Sequence, residues 1–169
     1  LPSGQLTPVD GSPFAADVMF MTVNGRYLFG SDATGAYIRS YAIAPDGALL
    51  PAASTNVVRP GNACDNAGAL FLDSAGATVS PVGSSGPACA AAAYQAFRVD
   101  GTTGRLVLIH EAHAGLNGAL LRFSSDDRFA FGADCTGSRP LVDGFEHHRD
   151  GSLAPMQVHA PLPSPGGTQ

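Results

Sequence analysis

Three stretches of this chain align without a gap: "GRYLFGSD" from Gly25, "GATVSPVG" from Gly76 and "DRFAFGAD" from Asp127. Their starting points lie 51 residues apart in turn. A sequence that repeats itself every ~50 residues folds as stacked copies of one supersecondary unit, because each copy buries its apolar surface against the next. A second series is interleaved with the first. "YAIAPDGALLP" ends at Pro51, "FRVDGTTGRLVL" at Leu108 and "FEHHRDGSLAP" at Pro155. Each is an aromatic-led strand, a turn containing Asp and Gly, and a further strand with leucine near its start. One unit therefore reads as two hairpins, or four strands.

The local chemistry agrees. Phe, Tyr, Val, Ile and Leu cluster in short runs. Asn24-Gly25, Asp46-Gly47 and Asp150-Gly151 punctuate them as tight-turn dipeptides. The 21 Gly and 13 Pro, about one residue in five, suit many short strands joined by turns. The alternation along the runs is loose, with apolar groups on both faces in "RYLFG" and "AYIRSYAIA". Sheets covered on both faces carry such sequences, and blades stacked about an axis are covered in this way. The expectation is an all-β chain, a β-propeller segment over residues 1–157 built from four-stranded antiparallel blades at about 15–53, 68–110 and 118–157. Strands A to D of the first blade are expected near Asp17 to Thr22, Arg26 to Gly30, Ala36 to Ile43 and Ala48 to Ala53. "SGQLTPVDGSPF" opens on Gly4 like the last strand of a unit, so one outer strand of a preceding blade is expected before the first full one. The Pro/Gly-rich stretch 158–169 reads as a linker or tail.

Charge narrows the function classes. The net charge is −5 and all nine basic residues are scattered Arg. A nucleic-acid surface needs a basic stripe, and a membrane patch needs clustered cations. Neither is present, and no apolar run reaches the ~20 residues of a spanning helix. The chain opens at Leu1 with neither a charged n-region nor an apolar h-region, so no signal peptide is visible: either one was removed or the sequence begins inside a larger protein.

The string "G-x-L-x-P-V-x-G-S-P-F" from Gly4, the "N-G-R-Y-L-F" hairpin from Asn24 and the "Y-x-I-x-x-x-G-x-L" hairpin from Tyr41 resemble the lactonase-type seven-bladed β-propeller family, which includes 6-phosphogluconolactonase-like proteins. The resemblance covers about Gly4 to Pro155. It rests on turn and strand motifs, which speak to fold more than to activity. Family lactonases commonly carry a His-Pro-His-like string before an inner strand. The matching stretches here, Ala15-Ala16-Asp17 and Asn117-Gly118-Ala119, keep no histidine.

Three blades make an open arc with a bare sheet face at each end. Leaving one such face uncovered forfeits on the order of 7 kcal/mol. The remaining blades of a longer chain, or a second copy, are the expected partners.

In a propeller the D–A and B–C connections emerge at one end. Here they are the longer ones, at Asp32 to Gly35, Ser54 to Ala67, Gly83 to Ala90, Glu111 to Asn117 and Ala133 to Arg139. Irregular connections on a rigid scaffold carry function. A small-molecule or protein ligand is expected at that loop face. Cys64 and Cys89 fall there in one unit, as a reactive thiol, a metal ligand or, in the reading adopted, a disulfide staple that implies an extracytoplasmic (periplasmic or secreted) setting. Cys135 is left over, able to pair with either or to stay free.

"HEAH" at His110 to His113 has the wrong spacing and setting for a zinc helix. "HHRD" at His147 to Asp150 reads as a polar turn at the opposite end. Asp32 and Asp134 occupy matching places and read as turn caps. No cofactor or metal is expected. The leading functional reading is a secreted or periplasmic binding scaffold. The alternative is a lactone hydrolase or carboxymuconate-cyclase-like enzyme, with His113 as general base and Glu111 and Arg59 beside it at the channel mouth. A calcium-dependent hydrolase using Asp32, Asp65 and Asp134 is a third possibility.

Overall fold

The computed structural model describes residues 7–58, 67–83, 92–116, 121–134 and 141–161. Twelve strands form three antiparallel four-stranded sheets. The first blade contains β1 (Met21–Val23), β2 (Tyr27–Ser31), β3 (Tyr37–Ile43) and β4 (Leu49–Asn56). The second contains β5 (Ala69–Leu72), β6 (Thr78–Val82), β7 (Ala92–Val99) and β8 (Leu106–Leu116). The third contains β9 (Leu121–Phe123), β10 (Phe129–Asp134), β11 (Leu141–His147) and β12 (Leu153–Pro161). Each is a meander with its strands in chain order across the sheet. The 51-residue period is therefore real in space: β2, β6 and β10 are each the second strand of their sheet. The three blades together form an arc of a propeller.

Side-chain alternation sets the blades against one another. One buried cluster joins Tyr27, Phe29 and Ile38 of the first blade to Leu70, Val79, Phe97 and Leu106 of the second. Another joins Phe71, Val82, Tyr94 and Ala96 of the second to Leu121, Ala130 and Phe145 of the third. The middle sheet thus sends apolar groups both ways, which explains the loose alternation of the sequence.

Two repeated devices hold the tight-turn end. The A–B turns place Gly25, Gly76 and Asp127 in the left-handed region, at φ 84°, 66° and 55°. At each boundary the turns are tied together. Asn24 Nδ2 donates to the Gly76 carbonyl at 3.0 Å. The Asp127 carboxylate accepts from Ser74 N at 2.6 Å, Ser74 Oγ at 2.7 Å and Ala75 N at 3.2 Å. The C–D turns use a second left-handed glycine that lies flat against the preceding blade. A Cβ on Gly104 would sit 2.7 Å from the Tyr27 ring, and one on Gly151 would sit 2.5 Å from Ala96 Cβ. Gly47 of the first blade packs on Val9 in the same way. The lead-in segment thus stands where a preceding blade would.

Several boundaries differ from the sequence expectation. β1 starts at Met21, not Asp17. Pairing does continue irregularly before it, through Met19 N to Ser31 O and Ser31 N to Phe20 O. Outer strands run further than expected: β4 to Asn56, β8 to Leu116 and β12 to Pro161. Each keeps a partner to that point, because the third strand reaches as far and β-bulges in the outer strand take up its extra residues. The tail expected from residue 158 therefore begins in strand, and 162–169 lie outside the described residues. Of the expected outer strand of a preceding blade, Gly4 to Leu6 lie outside the described residues. Thr7 to Phe14 form no strand, since an outer strand exists only when paired to a third one.

Candidate functional site

The B–C turn of the first blade organises the loop end. Asp32 is 5% exposed and its carboxylate accepts from Thr34 Oγ1 at 2.8 Å, Ala36 N at 3.2 Å and Tyr37 N at 3.4 Å, with Arg39 Nη2 at 3.8 Å. Burial pushes the carboxyl up. The bonds from Thr34, Tyr37 and Ala36 and the Arg39 charge outweigh it, and the group is held below the usual carboxylate value. The turn also pins the long D–A connection at both ends, through Val57 N to Ala36 O at 2.9 Å and Ala67 N to Gly35 O at 2.7 Å. Val57 O in turn accepts from Gln95 Nε2 at 3.2 Å, which also donates to Glu111 Oε1 at 3.2 Å.

A shallow pocket of about 250 Å³ opens beside this turn, lined by Met19, Phe20, Ser31, Asp32, Ala33, Thr34, Gly35, Ala67 and Gly68. Met19 and Phe20 are 60% and 51% exposed. They precede the innermost strand, so they stand at the mouth of the channel that the inner strands line. Asp32 is the ionisable side chain of this pocket, and its oxygens face their own turn. The pocket is otherwise apolar, hydroxylic or glycine. Such a lining offers apolar and hydroxyl contacts, with its one carboxylate already engaged by the turn that carries it.

Of the sequence-predicted residues that the structure describes, Asp32 borders this pocket and Glu111 does not. Glu111 and His113, expected in a D–A connection, lie on β8, the outermost strand of the second blade. Three strand spacings of ~4.8 Å, roughly 14 Å, separate that strand from the inner one. Glu111 is half-buried and bound by Gln95; nothing is described of the His113 side chain. The connection reading failed because "HEAHAGL" has no turn dipeptide, and strand pairing to Ala92 carries it through. Arg59, Cys64, Asp65, Cys89 and Cys135 lie outside the described residues, as does the Asp134 side chain. Asp32 is the turn cap it was read as. Sequence reasoning missed Met19 and Phe20. Their signal was an apolar run, "VMFMTV", at an inner edge where only one neighbouring strand covers it. Among the described residues no cluster of His, Cys, Asp and Glu could hold a metal ion, and no helix is long and apolar enough to cross a membrane.

Meandering four-stranded blades, packed face to face through paired apolar clusters, define an arc of a β-propeller. The fold is that of the lactonase-like propellers. A provisionally assigned 6-phosphogluconolactonase from Bacteroides uniformis matches with a TM-score of 0.70 and 14% identity over 88% of this chain and 42% of that one. One of the same provisional assignment from Bacteroides fragilis matches at 0.67 and 16% over 86% and 38%. The periplasmic gluconolactonase of Pseudomonas aeruginosa matches at 0.62 and 17% over 88% and 42%. This chain therefore spans about two-fifths of the length of the structures it resembles. No protein-family model and no curated protein matches it.

Proposed function

We propose that this chain is a binding scaffold that receives its ligand at the loop-face mouth, against Met19, Phe20 and the Asp32 turn. One observation carries the reading: the ionisable group of the described mouth is a buried carboxylate already satisfied by its own turn. A carboxylate held low by such bonds is a poor general base near neutrality. The exposed Met19 and Phe20 supply the adaptable apolar contact that binding surfaces favour. An extracytoplasmic setting goes with this reading. Its support is the periplasmic location in the name of the Pseudomonas aeruginosa structure; a Cys64–Cys89 bridge would add to it.

The second reading, lactone hydrolysis, is favoured by the fold shared with proteins of that name, with His113, Glu111 and Arg59 as its candidate groups. A panel of sugar and aryl lactones and their free acids separates the two in the whole protein. The scaffold reading expects thermal stabilisation by one or more members, weakened several-fold in Phe20→Ala, with hydrolysis at the uncatalysed rate. Peptide mapping of the same preparation without reductant should find Cys64 joined to Cys89. Turnover that falls ~10²–10⁴-fold in His113→Ala would install the hydrolase instead.

A further inference from the structure

At the opposite end of the arc a cleft of about 590 Å³ lies between the second and third blades. Three of the chain's nine arginines border it: Arg98 at the end of β7, Arg128 from the A–B turn and Arg149 from the C–D turn of the third blade. His147 and His148 stand beside them, so the "HHRD" stretch is part of a wall rather than an isolated turn. All three arginines and His148 are exposed. Among the described residues no carboxylate lies within ion-pairing distance of these guanidinium groups; the ion pair that is formed is Arg39–Asp32.

The carboxylates around the cleft are turned to other work. Asp73 Oδ1 accepts from Ala77 N at 2.7 Å. Asp126 Oδ1 accepts from Ser124 Oγ at 2.6 Å and Arg128 N at 3.3 Å. Asp127 clasps Ser74 and Ala75 across the boundary. Asp150 takes both bonds of Ser152, at 2.9 and 2.6 Å. His147 fixes the wall: its Nδ1 donates to the Asp127 carbonyl at 2.9 Å, and its ring lies 4.8 Å from that of Phe123. The turn that carries His148 and Arg149 is thereby anchored to the turn that carries Arg128.

The other boundary shows that the repeat does not require these cations. There the corresponding turn is Asp100-Gly101-Thr102-Thr103, and Asp100 accepts from the Thr102 and Thr103 amides at 2.8 and 3.0 Å. Acid and hydroxyl groups stand where the second boundary has His and Arg.

We propose that this cleft is a binding site for a phosphate group, held by Arg98, Arg128 and Arg149 with His148 at its rim. Three guanidinium groups border one cleft from three elements, with Arg128 stacked over the Phe129 ring at 5.2 Å and none within ion-pairing distance of a carboxylate among the described residues; such donors suit a compact oxyanion with several acceptor oxygens. The group can arrive as inorganic phosphate or as a phosphate monoester, and titration calorimetry with inorganic phosphate, glycerol 3-phosphate and glycerol distinguishes them. Saturable binding of both phosphates and none of glycerol is expected. A tighter ester identifies a phosphorylated metabolite as the ligand class, and equal affinities identify the free ion. Arg98→Gln and Arg149→Gln should each weaken binding about five- to tenfold. Arg105→Gln, at the other boundary, should leave it unchanged, and circular dichroism should show all three folded. Absence of saturable phosphate binding overturns the proposal. So does equal affinity in wild type and the Arg98→Gln/Arg149→Gln double variant.

Discussion

Asp32 shows how one side chain supports a loop end. Its carboxylate is buried and gathers Thr34, Ala36 and Tyr37, while the neighbouring carbonyls of Gly35 and Ala36 tie down both ends of the D–A connection. Removing the carboxylate takes the acceptor from the Tyr37 amide and the Thr34 hydroxyl and leaves the Ala36 amide only its bond to Thr34 Oγ1, at a cost of about 1–3 kcal/mol for Asp32→Ala. The carboxyl is held below its usual value, so it binds a proton less readily folded than unfolded. Its contribution is complete above the unfolded carboxylate value of about 3.9 and drains away as pH falls through the lower folded one. The stability gap between wild type and Asp32→Asn, measured by urea unfolding, should therefore be wide at neutrality and shrink progressively as pH falls below about 3.9. A gap independent of pH would show that the carboxylate is not held this way. Asp100, Asp126 and Asp150 are also held low by turn hydrogen bonds. They shift with pH in both proteins and cancel in the comparison.

Among elements, the second and third strands of each blade were legible in the sequence and the outer ones less so. β2 and β3 are marked at both ends by turn dipeptides and a fixed period, and they fall within a residue of expectation. β8 was cut short at His110 because no breaker follows it, and nothing in "HEAHAGL" says whether a partner strand reaches that far. The same error misplaced Glu111 and His113. Spatial neighbours across a boundary were also hidden. Only the structure shows that Tyr27 hydroxyl points to the Gly101 carbonyl at 3.4 Å and that Tyr94 repeats the contact with Gly151 at 2.8 Å. The two boundaries use one device in different strengths. Tyr94 is fully buried, and burial pushes its hydroxyl up to about 12. Tyr94→Phe should cost about 1–3 kcal/mol, because the Gly151 carbonyl then lacks a donor in a dry interface. Tyr27→Phe should cost under about 1 kcal/mol, its bond being longer and only partly buried. Urea unfolding of both variants checks the order, and a reversed order would separate burial from the strength of the contact.

At the scale of the whole molecule the period identifies which surface awaits a neighbour. Phe29, Ser80 and Phe131 occupy the same repeat position in successive blades, on the side facing the next blade. Phe29 and Ser80 are 0% exposed, each covered by the sheet that follows, whereas Phe131 is 44% exposed. It lies with Met156 over Gly144, on the free side of the third blade. The remaining blades of a longer chain, or a second copy, are the proposed cover. Substitution to alanine at the two aromatic positions measures the difference. Phe29→Ala removes a ring from a closed interface and should cost about 3–5 kcal/mol. Phe131→Ala in the same 169-residue chain should cost under about 1 kcal/mol, since most of the transfer term is lost when the ring already meets water. In a protein that carries the next blade, Phe131→Ala should rise to the cost at Phe29. Equal costs at both positions in this chain would show that Phe131 is already covered in solution, and a concentration-dependent cost would identify a second copy as the cover.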